Sequence, residues 1–155
     1  MPSLRVRRAT EDDLPAIVAL IADDGLGKSR EDLSTPLNPK YRAAFAALAA
    51  DPNQVMAVLV DDAGGGEMIG CLQLTFIPGL SRQGAWRCQV ESVRIASTRR
   101  GQGLGRFLFD WVIGECRRRG CDLVQLTTDK RRIDARRFYE ALGFTASHEG
   151  MKLAL

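Results

Sequence analysis

A single histidine, His148, serves the whole 155-residue chain, and its four cysteines, at 71, 88, 116 and 121, include no C-x-x-C pair. A tetrahedral zinc site needs more ligands at closer spacing, so no metal is expected. Long apolar runs are also missing. None reaches the roughly 20 residues that a bilayer crossing requires, and the charged start lacks the apolar stretch of a secretory signal. Cysteines lying within apolar segments read as buried thiols of a reducing compartment, so a cytoplasmic protein without a membrane partner is expected. The net charge of +3 is too small to announce nucleic acid. No G-K-[ST] follows the glycine-rich run, which excludes a Walker A loop.

Hydrophobic patterning is plentiful. The length suggests one domain, over residues 1–155. Residues 4–8 read as a strand, and Thr10 with Asp13 stands in capping-box register. Leu14, Ile17, Val18 and Ile21 recur on one helical face. Residues 23–39 mix glycine, proline and charge, and read as a long loop, either a lid or a plain connector. Tyr41, Ala44, Phe45 and Leu48 return to helical spacing. Residues 55–60 are continuously apolar, as in a strand covered on both faces. Hairpin chemistry follows at residues 61–66, with strands at 68–77 and 87–95. Leu104, Phe107, Leu108, Trp111 and Val112 mark the buried face of a further helix. A strand at 123–127, a short helix at 134–142 and two short strands within 144–155 complete the order β-α-α-β-β-β-α-β-α-β-β, a mixed α/β (α+β type) domain around one central sheet.

The run Arg99-Arg100-Gly101-Gln102-Gly103-Leu104-Gly105 joins a strand to a helix. Glycine permits positive φ and close backbone approach. The first N–H groups of a helix have no partner of their own, and the helix dipole favours an anion there. Such a junction suits a pyrophosphate, and equally a simple glycine-rich turn. Downstream stands Arg137-Phe138-Tyr139-Glu140-Ala141-Leu142-Gly143-Phe144.

The two motifs in this order resemble the GNAT superfamily, the acetyl-CoA-dependent N-acetyltransferases, as does the opening Arg7-Arg8-Ala9-Thr10-Glu11-Asp12-Asp13-Leu14-Pro15. The resemblance is tight over residues 89–144 and looser over the first strand and helix. It implies a mostly antiparallel sheet, flanked by about four helices, in which two strands splay apart to seat acetyl-CoA. It further implies that the backbone of Val93 and Ile95 holds the pantetheine arm. The amides of Arg100, Gly101, Gln102, Gly103, Leu104, Gly105 and Arg106 would ring the pyrophosphate, with Gly103 and Gly105 allowing close contact and Arg100 adding charge. Arg132 stands where many members carry asparagine, so Lys130, Arg131 and Arg132 could meet a phosphate or form a solvated run. Many members dimerise through their last strands, which implies a homodimer.

Acetyl transfer to an amine poses two protonation problems. A lysine-like amine, with a pKa of roughly 10.4, is almost wholly protonated at neutral pH, an offset of about 4–5 kcal/mol. The leaving thiolate gains from a hydrogen bond or a proton. By resemblance Tyr139 serves the thiolate; the alternative is a core aromatic with its hydroxyl on a backbone carbonyl. Glu91 is the candidate base. By strand alternation it shares a face with Gln89, Val93 and Ile95; the alternative is a partner for Arg87 or Arg94, with water taking the amine's proton. The implied function is transfer to a small-molecule amine acceptor, with protein lysine or N-terminal acetylation and a non-catalytic acyl-CoA-binding module as alternatives.

Overall fold

The computed structural model describes residues 3–155. Five strands form one sheet in chain order: β1 (Leu4–Arg8), β2 (Gln54–Asp61), β3 (Glu67–Pro78), β4 (Trp86–Ile95) and β5 (Leu123–Leu126). The first four pair antiparallel. Only β4 and β5 run parallel, from Arg87 against Leu123 to Val90 against Leu126. Four α-helices flank the sheet: α1 (Leu14–Ala22), α2 (Pro39–Ala50), α3 (Leu104–Arg118) and α4 (Ile133–Ala141). A tight turn at Ser81–Gly84, with Arg82 and Gln83 at φ 53° and 61°, lies in the β3–β4 connection.

Local chemistry explains these elements. The Asp13 carboxylate accepts from the Thr10 amide at 2.7 Å and from Arg7 Nη1 at 2.7 Å, fixing the entry to α1 as the capping-box register predicts. The continuous apolarity of β2 is used on both faces. Val55, Ala57 and Leu59 meet the cluster built by Leu104, Leu108, Phe109 and Val112 of α3. Val58 and Val60 meet Ile17 and Leu20 of α1. All four cysteines are free thiols, three of them buried, and burial pushes Cys71 up to about 12. Among the described residues no helix is long and apolar enough to cross a membrane.

The observed order follows the expected one as far as α4, and the sheet is mixed and mostly antiparallel. The two strands expected within 144–155 are not formed. Met151 and Leu153 alternate as a strand would, yet stand 94% and 87% exposed. A ladder needs an edge to pair with, and the four-residue β5 offers a short one.

Residues 23–38 are stitched together rather than loose. The Tyr41 hydroxyl donates to Glu31 at 2.6 Å and accepts from the Asp32 amide at 2.9 Å. Asn38 Nδ2 donates to Asp32 at 3.0 Å.

Candidate active site

Strand β4 changes character half-way. Its pairing with β5 stops at Val90, and residues 91–95 continue against β3 alone. The break coincides with a bulge. Glu91 sits opposite Gln73 and Arg94 opposite Cys71, so three steps on β4 match two on β3. Ser92 takes up the extra residue at φ 53°, which is costly for a residue other than glycine.

That bulge corrects the alternation drawn from the sequence. A bulge reverses facing, so Glu91 shares a face with Arg94 and Gln73, not with Val93 and Ile95. Val93 and Ile95 pack on the α3–α4 cluster. Glu91 is exposed and makes no ion pair or hydrogen bond among the described residues. It is therefore not the partner of Arg87 or Arg94.

The unpaired edge of β4 is partly claimed by arginines. The Val93 carbonyl accepts from Arg94 Nη1 at 2.8 Å, and the Ile95 carbonyl from Arg100 Nε at 3.3 Å. Each carbonyl keeps a second lone pair. Arg100 Nη2 also donates to the Asp23 carbonyl at 2.9 Å, so this guanidinium ties the loop to β4 and to the end of α1. Arg99 is structural: its Nη2 lies 2.6 Å from Asp61 Oδ2.

The glycine turn leaves the start of α3 uncovered. Gly101 and Gly103 hold φ 77° and 78°, and a Cβ on either would meet nothing within 4 Å. Gly103 caps α3 without a side-chain hydrogen bond, and the Phe107 amide is the one that closes onto its carbonyl, at 3.1 Å. The amides of Leu104, Gly105 and Arg106 precede that first closure and face the open side. Gly105 differs from the other two. A Cβ there would lie 3.0 Å from Phe138 Cζ, so its bareness admits the α4 ring rather than a ligand.

Tyr139 is wedged edge-on among Phe109, Phe138 and Phe144, at ring separations of 5.6, 5.3 and 5.9 Å. It packs on the same apolar cluster as Val93, Ile95 and Leu126. Burial raises its pKa, and the charges of Arg94 and Arg132 oppose that only in part, so the phenol keeps its proton at neutral pH. No hydrogen bond holds its hydroxyl among the described residues, so the core-tyrosine alternative, a hydroxyl on a backbone carbonyl, is not what forms.

The basic run before α4 divides. Lys130 reaches exposed Glu149 and Arg131 pairs with Asp129, both at the surface. Arg132 instead turns inward to Asp24, 108 residues away in sequence, with Nη2 to Oδ2 at 2.7 Å. Arg94 Nε lies 3.0 Å from the same oxygen. A hollow of about 560 Å³ opens beside Arg131, Arg132, Ile133 and Arg137. The Asp24 cluster was not visible to sequence reading, because no spacing rule links positions 24, 94 and 132.

The model of the Acetyltransferase (GNAT) family matches residues 22–144. An aminoalkylphosphonate N-acetyltransferase of Salmonella typhimurium is 31% identical over 148 residues, 96% of this chain and 89% of its own. A glucosamine 6-phosphate N-acetyltransferase of Trypanosoma brucei brucei is 32% identical over 90 residues, 58% of this chain and 59% of its own. A crystal structure from Bacillus halodurans, described as a transcriptional regulator, superposes with a TM-score of 0.93 at 48% identity, covering 98% of this chain and 99% of that one.

Proposed function

The chain belongs to the acetyltransferase (GNAT) family, and we propose that it moves the acetyl group of acetyl-CoA directly to the primary amine of a small molecule. The observation that carries this reading is the open half of β4. The β4–β5 ladder ends at Val90–Leu126, residues 91–95 are left unpaired on one edge, and the unbonded phenol of Tyr139 packs on the same apolar cluster as Val93 and Ile95.

The residues present fit the co-substrate. The open edge at Val93 and Ile95 offers peptide groups to an amide-bearing arm, as a further strand would. The turn at Gly101 and Gly103, with the amides of Leu104, Gly105 and Arg106, suits a diphosphate. Arg100 contributes by fixing that turn, and Gln102 lies between its two glycines. The co-substrate supplies an activated thioester carbonyl.

Tyr139 donates its hydroxyl to the sulfur as charge develops there, and its raised pKa keeps the donor loaded. Glu91, exposed and unpaired, takes the proton of the incoming ammonium directly or through water. A small acceptor agrees with the two relatives named for small amines.

The test is release of free thiol from acetyl-CoA in the presence of a panel of primary amines and peptides. Turnover on at least one small amine, lost in Tyr139→Phe while coenzyme A binding persists, is the expected result. The relative described as a transcriptional regulator favours a second reading, a non-catalytic acyl-CoA-binding module. Coenzyme A binding with no turnover on any amine or peptide would establish that reading instead.

A further inference from the structure

Three side chains from distant parts of the sequence meet between the open half of β4 and the start of the helix that carries Tyr139. Asp24 follows α1, Arg94 lies on the unpaired half of β4, and Arg132 precedes α4. Asp24 Oδ2 receives Arg132 Nη2 at 2.7 Å and faces Arg94 Nε at 3.0 Å. Its other oxygen accepts the amides of Leu26 and Gly27, each at 2.7 Å. The side chains of Asp24, Arg94 and Arg132 are 12%, 16% and 30% exposed.

The charges do not balance. Two guanidiniums share one carboxylate, leaving a half-buried excess of positive charge. Arg94 Nε is buried and makes no well-directed hydrogen bond. Arg94 Nη1 is spent on the Val93 carbonyl and Arg132 Nη2 on Asp24. Arg94 Nη2 and Arg132 Nε and Nη1 make no hydrogen bond among the described residues. Asp24 cannot satisfy them, because three hydrogen bonds and the ion-pair contact with Arg94 already occupy its two oxygens. A second anion would both neutralise the cluster and use these donors.

We propose that Arg94 and Arg132 form the anion subsite of the acceptor pocket, and that the acceptor is a short amine carrying a tetrahedral phosphonate or phosphate group. The proposal rests on the acetyl-transfer reading above. The guanidinium fork presents paired donors that match two oxygens of such a group. Arg94 lies on the unpaired half of β4 and Arg132 caps the helix that carries Tyr139, which puts the anion close to the reacting end and calls for a short spacer between amine and oxyanion. Asp24 keeps the two guanidiniums in place and tempers their pull.

A matched pair of amines tests this, 3-aminopropylphosphonate against 1-aminobutane, by thiol release at fixed acetyl-CoA. The kcat/KM ratio in favour of the phosphonate should exceed 100-fold and fall at least tenfold in Arg132→Gln and in Arg94→Gln. Asp24→Asn keeps an oxygen for the Leu26 and Gly27 amides and removes the internal counter-charge. It should lower the phosphonate KM several-fold, which a merely structural role would not do. Equal losses for both amines in the arginine variants, an effect confined to the KM of acetyl-CoA, or a raised phosphonate KM in Asp24→Asn would overturn the subsite. Titration of the protein with methylphosphonate keeps the two readings apart. If no amine is turned over, binding of methylphosphonate that Arg132→Gln abolishes retains the subsite while the enzyme reading fails. Absence of such binding overturns the subsite. Thermal melts of each variant separate these effects from misfolding.

Discussion

The two halves of β4 belong to one strand and serve opposite purposes. Residues 87–90 are paired on both edges, and Cys88 and Val90 are buried beneath α3. Residues 91–95 are paired on one edge, kinked at Ser92, and bordered by charge. The first half is laddered on both edges, so its contribution is to stability. The second half leaves backbone and side-chain groups for something else to answer, which is what a site requires. Substitutions in the two halves should therefore separate cleanly into effects on stability and effects on turnover.

The largest effect belongs to Tyr139, which packs on the same cluster as the open half. Tyr139→Phe should lower kcat about 100-fold, equivalent to about 2.7 kcal/mol of transition-state stabilisation. The coenzyme A dissociation constant should stay within a few-fold of its starting value, because the ring and its three aromatic neighbours remain. In the parent protein kcat/KM for the amine should rise from pH 6 to 9 as the free amine appears. Loss of the Tyr139 proton should not cut into that range, since its pKa lies above the ordinary tyrosine value. Unaltered turnover by the phenylalanine variant would erase the distinction between the halves.

Val90→Ala probes the paired half. Val90 is 2% exposed within the main cluster, and the cavity should cost about 2 kcal/mol of stability in a urea titration. Turnover per folded molecule should be unaffected. A variant that melts normally yet turns over slowly would show that the paired half also sets the geometry of the open half.

Much of this division could be read from the sequence. Helical spacing located α1, α3 and α4, the continuous apolar run located β2, and glycine at a strand-to-helix junction located the turn that opens α3. The bulge could not be read, because serine carries no signal for positive φ, and one inserted residue reversed the facing deduced for Glu91. The role of Gly105 was equally hidden. Only the packed structure shows that Phe138 occupies the space its side chain would fill. The terminal segment has the alternation of a strand, but alternation cannot say whether an edge is present to receive it. The Asp24 cluster is purely tertiary.

That cluster yields an acid-sensitive prediction. Burial pushes the Asp24 carboxyl up, but the Arg132 guanidinium, the Gly27 and Leu26 amides and the charge of Arg94 together hold it down to about 2. A depressed carboxylate pKa contributes stability that is fully present above the unfolded value near 4 and is lost as pH falls through the folded one. Between pH 4 and pH 2 the protein should lose about 1–2 kcal/mol from this group. Asp24→Asn should flatten that part of the acid limb in a pH series of urea titrations. An identical acid limb in both proteins would mean that the charges around the open half leave stability untouched.

The smallest effect lies at the seam between the glycine turn and Tyr139. Gly105→Ala sets two terms against each other. Alanine inside a helix gains up to about 1 kcal/mol over glycine. The new Cβ would stand 3.0 Å from Phe138 Cζ and 3.3 Å from its Cε2, and overpacking typically costs about 1–3 kcal/mol. The ring has little freedom to retreat, since Phe109 and Tyr139 hold it at centroid separations of 5.9 and 5.3 Å. Overpacking should therefore win by a net loss of about 1 kcal/mol. Because Phe138 abuts Tyr139, kcat should fall a few-fold as well, while the acetyl-CoA KM changes less. A rise in melting temperature with unchanged kcat would show that the α3–α4 seam is loose enough to absorb a methyl group. The position of the Tyr139 hydroxyl would then owe more to Phe109 and Phe144 than to the residue beside it.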